Sequence, residues 1–599
     1  MIYHCEDHTC NYWDEGEKLP ERCPQCGRKL LRANEADMTG DDWTALGNTL
    51  WDAEASDKKR MVDCFRKAAY LGSAWGVCNL GICMEQGNGV EADPVQAFWL
   101  YQQAVEMGSL NAVCCLGVCY QYGIGTAPDA EKAAELYCKA AEYGSPRGQM
   151  LLAHAFHDGI GVEADAAEAV NWVRAAAYQR YGEGMHRLGV CYEYGDGVEQ
   201  NWERAVHWFR EAAESGVSVA MTDLGYCYEK GCGVEQSWEQ AFSWYRRGAE
   251  CGNPVSMSNL GLCYQMGYGV EQNWQEAIKW YEQGAQCGDL QSMHNLARCY
   301  ERGEGVEQNE ERALYWYRRS AEGGNGDAMC NLGRCYKMGH GVEQNLQEAV
   351  KWYEQGAQCG NLQSMHNLAC CYEHGEGVEQ NMTEAIRWYT AAAEGGNADA
   401  MHDLGWLYDH GEGVEQDMKK AICWYERAAE QNHPAAMNSL GECYAMGRGV
   451  PRDLETAMEW YRRAAELGEA MADYNMGWHL EQAGKLSEAY AHYRKAADGN
   501  DDSAWWALGR FYENGVVVAQ DGKEARRCYE TGEKLGNVKC KMRLARCKLL
   551  GIGGRRAKKA GLDLCRQALE LAKESSEKED YGYEAEMNLL RRTIAENES

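Results

Sequence analysis

Near the amino terminus, Cys23-Pro24-Gln25-Cys26-Gly27 sets two thiols at the ends of a tight turn, and His4, Cys5, His8 and Cys10 precede them. A Cys-x-x-Cys followed by glycine lets two thiolates grip one ion while backbone amides point at the sulfurs, and a second pair about 12 to 18 residues away completes a tetrahedron. This spacing predicts a structural zinc site. Cys23 and Cys26 form its second half, and either Cys5 and Cys10 or Cys5 and His8 form its first. With four protein ligands the ion has no open position, so it would supply folding energy to a short segment and no catalysis. Thiols that hold no metal, or that serve redox chemistry, are the alternatives.

Ten further cysteines recur at one spacing: Cys83, Cys119, Cys191, Cys227, Cys263, Cys299, Cys335, Cys371, Cys443 and Cys547, each two residues after the Gly or Ala of a Leu-Gly or Leu-Ala pair. At helical spacing they are expected to be small apolar packing residues. No basic region followed by an apolar core opens the sequence, and nowhere do about 18 uncharged apolar residues run together, so the expected compartment is the cytoplasm, where thiols stay reduced. The sequence has no Gly-x-Ser-x-Gly, no Gly-x-x-x-x-Gly-Lys-Ser/Thr and no His-Glu-x-x-His, so no enzyme is expected. Loops such as Gly303-Glu304-Gly305-Val306 follow a helical pattern and carry Glu307 where a phosphate would be repelled. Among 599 residues, 92 acidic side chains against 60 basic ones leave a net charge of −32. That balance disfavours nucleic acid and anionic membranes and favours a basic partner.

The elements that carry these residues repeat. A Leu-Gly or Leu-Ala pair recurs every 36 residues at Leu80, Leu116, Leu152, Leu188, Leu224, Leu260, Leu296, Leu332, Leu368, Leu404 and Leu440. The phase continues through Met476, Leu508 and Leu544, and Leu46 precedes it, which makes about fifteen repeats. Residues 273–309 and 345–381 differ at only five of 37 positions. Within one repeat, Met257, Leu260, Gly261 and Tyr264 follow helical spacing, Gly267-Tyr268-Gly269-Val270 reads as a turn, and Ala277, Trp280, Tyr281 and Ala285 return to helical spacing from Asn273 to Cys287. Each repeat is therefore predicted to be a pair of antiparallel helices. Gly261 would let the two approach closely, and Trp280 and Tyr281 would fill the space between repeats.

These residues resemble the Sel-1-like repeats, a branch of the tetratricopeptide-like α-solenoids. Leu224-Gly225, Tyr228, Gly231 and Gly233-Val234, then Ala241, Trp244-Tyr245 and Ala249 match the family pattern. The resemblance covers residues 41–580 and implies an all-α, right-handed superhelical solenoid. Residues 581–599 would form a carboxy-terminal capping helix. Residues 1–31 resemble a zinc ribbon, joined by a linker over 32–40. The repeat from Met476 has lost its Gly-x-Gly loop, and in the last repeat Arg555, Arg556, Lys558 and Lys559 replace the acidic loop. The resemblance implies a scaffold or adaptor for a protein or peptide. Certain secreted relatives carry disulfides across cysteines eight apart and are linked to β-lactam chemistry. That spacing does not recur here.

In tetratricopeptide repeats the concave wall comes from first-helix positions two before the Leu, two after it, and five and six after it. The first position carries His186, His294, His366 and His402; the second carries Tyr226, Arg298, Arg334, Trp406, Trp478 and Arg510; the third carries Glu193, Glu229, Glu301, Glu373 and Asp409. Trp406 and Trp478 are expected as exposed anchors, with Arg298 and Arg334 beside them. A solvated face reproduced by repeat copying is the competing reading, and a metal on the histidines is disfavoured because no two of them stand at i, i+4. Elemental analysis of protein purified without chelator should find at least one zinc per chain that the Cys23→Ser, Cys26→Ser variant lacks. Well under one would refute the amino-terminal zinc site.

Overall fold

The computed structural model describes residues 2–5, 13–15, 30–32, 38–51, 55–578 and 584–598. His8, Cys10, Cys23 and Cys26 lie outside the described residues, and of Cys5 the backbone alone is described. That backbone ends the strand Ile2–Cys5, which pairs antiparallel with Trp13–Glu15 on one side and Leu30–Arg32 on the other.

The chain divides into two units, Met1–Gln308 and Asn309–Ser599. Among the described residues the first unit holds seven helix hairpins followed by the helix Leu290–Arg302. The second opens on Glu310–Glu322, continues through seven hairpins and ends on Glu584–Glu598. The first helix of the chain starts at Gly40 behind a Thr39–Asp42 capping box. No described helix is long and apolar enough to cross a membrane.

The hairpin of Pro254–Met266 and Trp274–Gln286 shows how the sequence builds each one. Asn253 caps the first helix by accepting from the Ser256 amide, and Pro254 sits in the first turn, where its missing N–H has no helical partner to lose. Gly267 ends that helix in the left-handed region at φ 76°, its amide donating to the Cys263 carbonyl oxygen. Gln272 Nε2 then donates to the Gln265 carbonyl oxygen at 2.7 Å, and Asn273 caps the second helix. The Gly-Val-Glu-Gln run thus serves helix ends, as its place after a helix suggests.

Gly261 meets the contact that closes the hairpin. A Cβ there would stand 2.5 Å from the ring of Tyr281, which is fully buried. Trp280 is part-exposed, packed against the core around Tyr245 and Leu260 with the Lys279 ammonium 5.6 Å from its ring centre. The tyrosine lies on the glycine of its own hairpin and, as expected, also packs between repeats: at the same position Tyr245 clusters with Met257, Leu260 and Cys263, and Tyr529 with Cys540, Leu544 and Cys547, each set from the next repeat. Gly81 and Tyr101, Gly225 and Tyr245, Gly441 and Tyr461, and Gly509 and Tyr529 repeat the arrangement. Val173 and Cys565 stand in place of the ring opposite Ala153 and Ala545, and Ala297 and Ala369 stand opposite the rings of Tyr317 and Tyr389. The tyrosine hydroxyl donates outward, from Tyr281 to Gln265 Oε1 at 2.7 Å and from Tyr245 to Glu229 Oε2 at 2.8 Å.

All ten repeat-position cysteines are buried, with at most 3% exposed, and burial pushes thiols such as Cys263 up to about 12. They are packing residues, and every cysteine from Cys64 to Cys565 is a free thiol. At the far end, Glu584–Glu598 packs on Val538–Leu550 and Lys558–Lys578, burying Met587 and Leu590 and pairing Glu586 with Arg543 at 2.6 and 2.7 Å. In an open helix Gly→Ala is stabilising by about 1 kcal/mol. Gly261→Ala should instead destabilise by about 1–3 kcal/mol, because the added methyl would stand 2.5 Å from the Tyr281 ring and displace it from its seat on a glycine, whereas Tyr317 and Tyr389 are seated opposite Ala297 and Ala369 from the start. Urea denaturation checks the sign.

Candidate interaction face

The four first-helix positions fare differently once their surroundings are known. The position two after the Leu is at least part-exposed in every repeat from Ile82 to Arg546. Tyr226 is 42% and Trp478 44% exposed, and Arg334 also faces solvent. Arg298 is part-buried. Trp406 departs from expectation: it packs part-buried against the core and stacks on His410 at 4.3 Å between ring centres. Arg510 is engaged as well, 2.8 Å from Glu481 and 4.6 Å from the Trp506 ring centre.

The position two before the Leu is a seam between repeats, which corrects its placement on an open wall. Cys78, Met150, His294 and Asn438 are all buried there. His186 Nε2 reaches Asp223 Oδ2 at 2.7 Å, and His366 Nε2 reaches Asp403 Oδ2 at 2.9 Å, each acid coming from the next repeat. Asp403 also holds His402 Nδ1 at 3.0 Å, and the His402 ring stacks on His433 at 5.2 Å. Burial opposes charge on His366, but the hydrogen bonds with Asp403 and Cys370 outweigh it and raise its pKa to about 10. Asp403 pays the desolvation cost of burial, yet the two histidines hold its carboxyl far below the usual range.

The position five after the Leu serves the buried tyrosines. Glu373 accepts from Tyr389 at 2.6 Å, and Glu229 and Glu513 do the same for Tyr245 and Tyr529. Asp409 is 4% exposed and takes Arg448 at 2.9 Å, so it too is a structural partner. Glu301 is part-buried.

The position six after the Leu carries what residue-type reasoning overlooked. Tyr122 is 69%, Tyr194 71% and Met266 49% exposed in the first unit, and Met338 is 60% and Met446 65% exposed in the second. Each is the last helical residue before a left-handed glycine cap. Its 36-residue recurrence was visible, but its exposure depends on where the helix stops. In the first unit the face deepens beside Tyr122 into a cavity of about 330 Å³, lined also by Arg147, Met150, Tyr181 and Glu183. Arg147 donates to Asn111 at 3.2 Å and lies 3.6 Å from the Cys115 sulfur. A hydrogen bond with Cys78 and the Arg147 charge lower the Cys115 thiol to about 7 in spite of its burial.

The Sel1 repeat profile matches the chain in thirteen segments, from 76–109 and 112–145 through the 36-residue segments that begin at 146–181, to 470–501 and 504–537. Among solved structures, c5321, a protective antigen present in uropathogenic Escherichia coli strains and displaying an SLR fold, is 32% identical over 75% of this chain and 97% of that one, with a TM-score of 0.52. A Sel1 repeat protein from Oxalobacter formigenes is 33% identical over 41% of this chain and 96% of its own, with a TM-score of 0.38. No curated protein matches. Hairpins closed by a tyrosine on a glycine, repeated at the family's spacing and matched by its profile over more than half of the residues, place this chain in the Sel1 repeat family.

Proposed function

We propose that the protein is a non-enzymatic scaffold or adaptor that holds a protein or peptide on the first-helix face of its Sel1 repeats. Sel1 repeats commonly serve as protein-interaction scaffolds, and the resemblance further implies a right-handed superhelical winding that presents this face along a concave wall. The observation that carries the reading is the register of exposed tyrosine and methionine at one repeat position, Tyr122, Tyr194, Met266, Met338 and Met446, beside exposed Tyr226 and Trp478. Unbranched methionines and amphipathic tyrosines suit a surface that adapts to a partner's apolar side chains. The surrounding acid excess, with a net charge of −32, favours a basic partner in the cytoplasm and makes capture weaken with salt.

The amino-terminal cysteines are proposed to hold a structural zinc through Cys23, Cys26, Cys5 and either Cys10 or His8. The antiparallel pairing of Ile2–Cys5 with two other strands supplies the kind of backbone such a ribbon uses. In a second reading this ribbon does the recognition and the repeats act as a spacer.

Affinity capture from native cytosol separates these readings. The full-length chain should retain a partner that the Tyr194→Ala, Tyr226→Ala, Trp478→Ala variant loses at least tenfold, and deletion of residues 1–36 should leave capture intact. Identical partner lists for the wild type and the triple variant would overturn the face assignment, and loss on the deletion would favour the ribbon. No turnover of a chromogenic β-lactam is expected; turnover would revive the hydrolase reading.

A further inference from the structure

The histidine and aspartate seam of the second unit carries a sulfur that its counterpart in the first lacks. His186 and Asp223 face Val190 at the position two after the Leu, whereas His366 and Asp403 face Cys370. The His366 Nε2, Cys370 Sγ and Asp403 carboxylate oxygen atoms all lie within 4.8 Å of one another. The sulfur is 3.8 Å and the carboxylate oxygen 2.9 Å from the imidazole nitrogen. Ligands of a tetrahedral ion, at about 2.0–2.3 Å from it, stand about 3.2–3.8 Å apart, so small side-chain adjustments fit these three atoms around one ion.

We propose that His366, Cys370 and Asp403 form a binding site for one divalent transition-metal ion of the zinc class, bridging the repeats of Leu362–His374 and Ala398–His410. His366 and Cys370 stand at i, i+4 on one helix face, and Asp403 closes the triangle from the next first helix. A second layer is already in place. The Gln363 amide lies 3.3 Å from His366 Nδ1, His402 holds the other oxygen of Asp403, and the Tyr389 hydroxyl is 3.2 Å from the sulfur. One thiolate, one imidazole and one carboxylate select a borderline ion over magnesium or calcium, which take oxygen ligands. Three protein ligands leave a fourth position for water or a partner's side chain, unlike the closed amino-terminal set. The arriving ion replaces the proton that His366 shares with Asp403 and the Cys370 thiol proton, so two protons leave and no electron moves.

Internal duplication supports this assignment. Residues 345–381 depart from residues 273–309 at five positions, and two of those changes place Cys370 where the other copy has Arg298 and His374 where it has Arg302. In the repeat that follows, Asp403 stands where the first copy is followed by Asn331. Near-identical copies therefore diverge by gaining ligand-type residues around one histidine that both retain.

Cobalt(II) titration of the full-length chain carrying Cys23→Ser and Cys26→Ser, which isolates this site from the amino-terminal one, tests the assignment. One equivalent should produce a thiolate-to-cobalt charge-transfer band and tetrahedral d–d absorption, both bleached by zinc. Adding Cys370→Arg, the residue of the sister copy and so compatible with the repeat, should abolish the charge-transfer band. Adding Asp403→Asn instead should weaken binding at least tenfold while circular dichroism stays unchanged. No band in the parent chain, or equal cobalt uptake by the parent and the Cys370→Arg chain, would overturn the proposal.

Discussion

Most hairpins are held shut by an aromatic ring lying on a residue that has no side chain, as Tyr281 lies on Gly261, and the rest of the repeat is arranged around that contact. Burying such a ring is worth about 2–3 kcal/mol, and its hydroxyl adds a constraint, because a buried polar atom must find a partner. The acid or amide five residues after the signature Leu supplies that partner at the edge of the hairpin. A helix pair of this size cannot bury enough surface alone, so stacking on the next pair completes the core. The second loop glycine shows how tight the stacking is: a Cβ on Gly269 would lie 2.2 Å from the carbonyl oxygen of Trp238 in the preceding repeat.

Once these needs are met, the positions left over define what the molecule can do. Acids that look like a groove lining are taken by tyrosine hydroxyls, and histidines that look like groove contacts tie one repeat to the next. What remains open is the residue two after the Leu and the residue just before the helix cap, where Tyr226, Trp478, Tyr194 and Met446 are exposed. The exposed face is therefore narrower and more apolar than the polar wall suggested by residue type alone.

The seam residues show how repeat copying creates chemistry without changing the fold. A His–Asp tie serves packing equally well with Val190 or Cys370 beside it, so substitution there is structurally cheap. The thiol in the second case stands among donors that packing had already assembled.

Period, hairpin boundaries, the packing role of the repeat cysteines and the near-identity of two copies were all legible in the sequence, because a 36-residue register and helical spacing are local properties of the chain. Site assignments were less legible. Trp406 shares its register position with exposed Tyr226 and Trp478, and Asp409 is tied to Arg448, 39 residues further along the chain, a partner that no spacing rule selects. Cys370 carries no signal of its own in the sequence, since its meaning depends on Asp403, 33 residues further along the chain. By itself the sequence determined that the chain folds as stacked helical hairpins, because each repeat states its caps, its turn and its apolar stripe within a few residues. Tertiary structure alone decided which side chains are spent on holding neighbours and which are left for a ligand, because burial and pairing arise between residues that meet only when repeats stack.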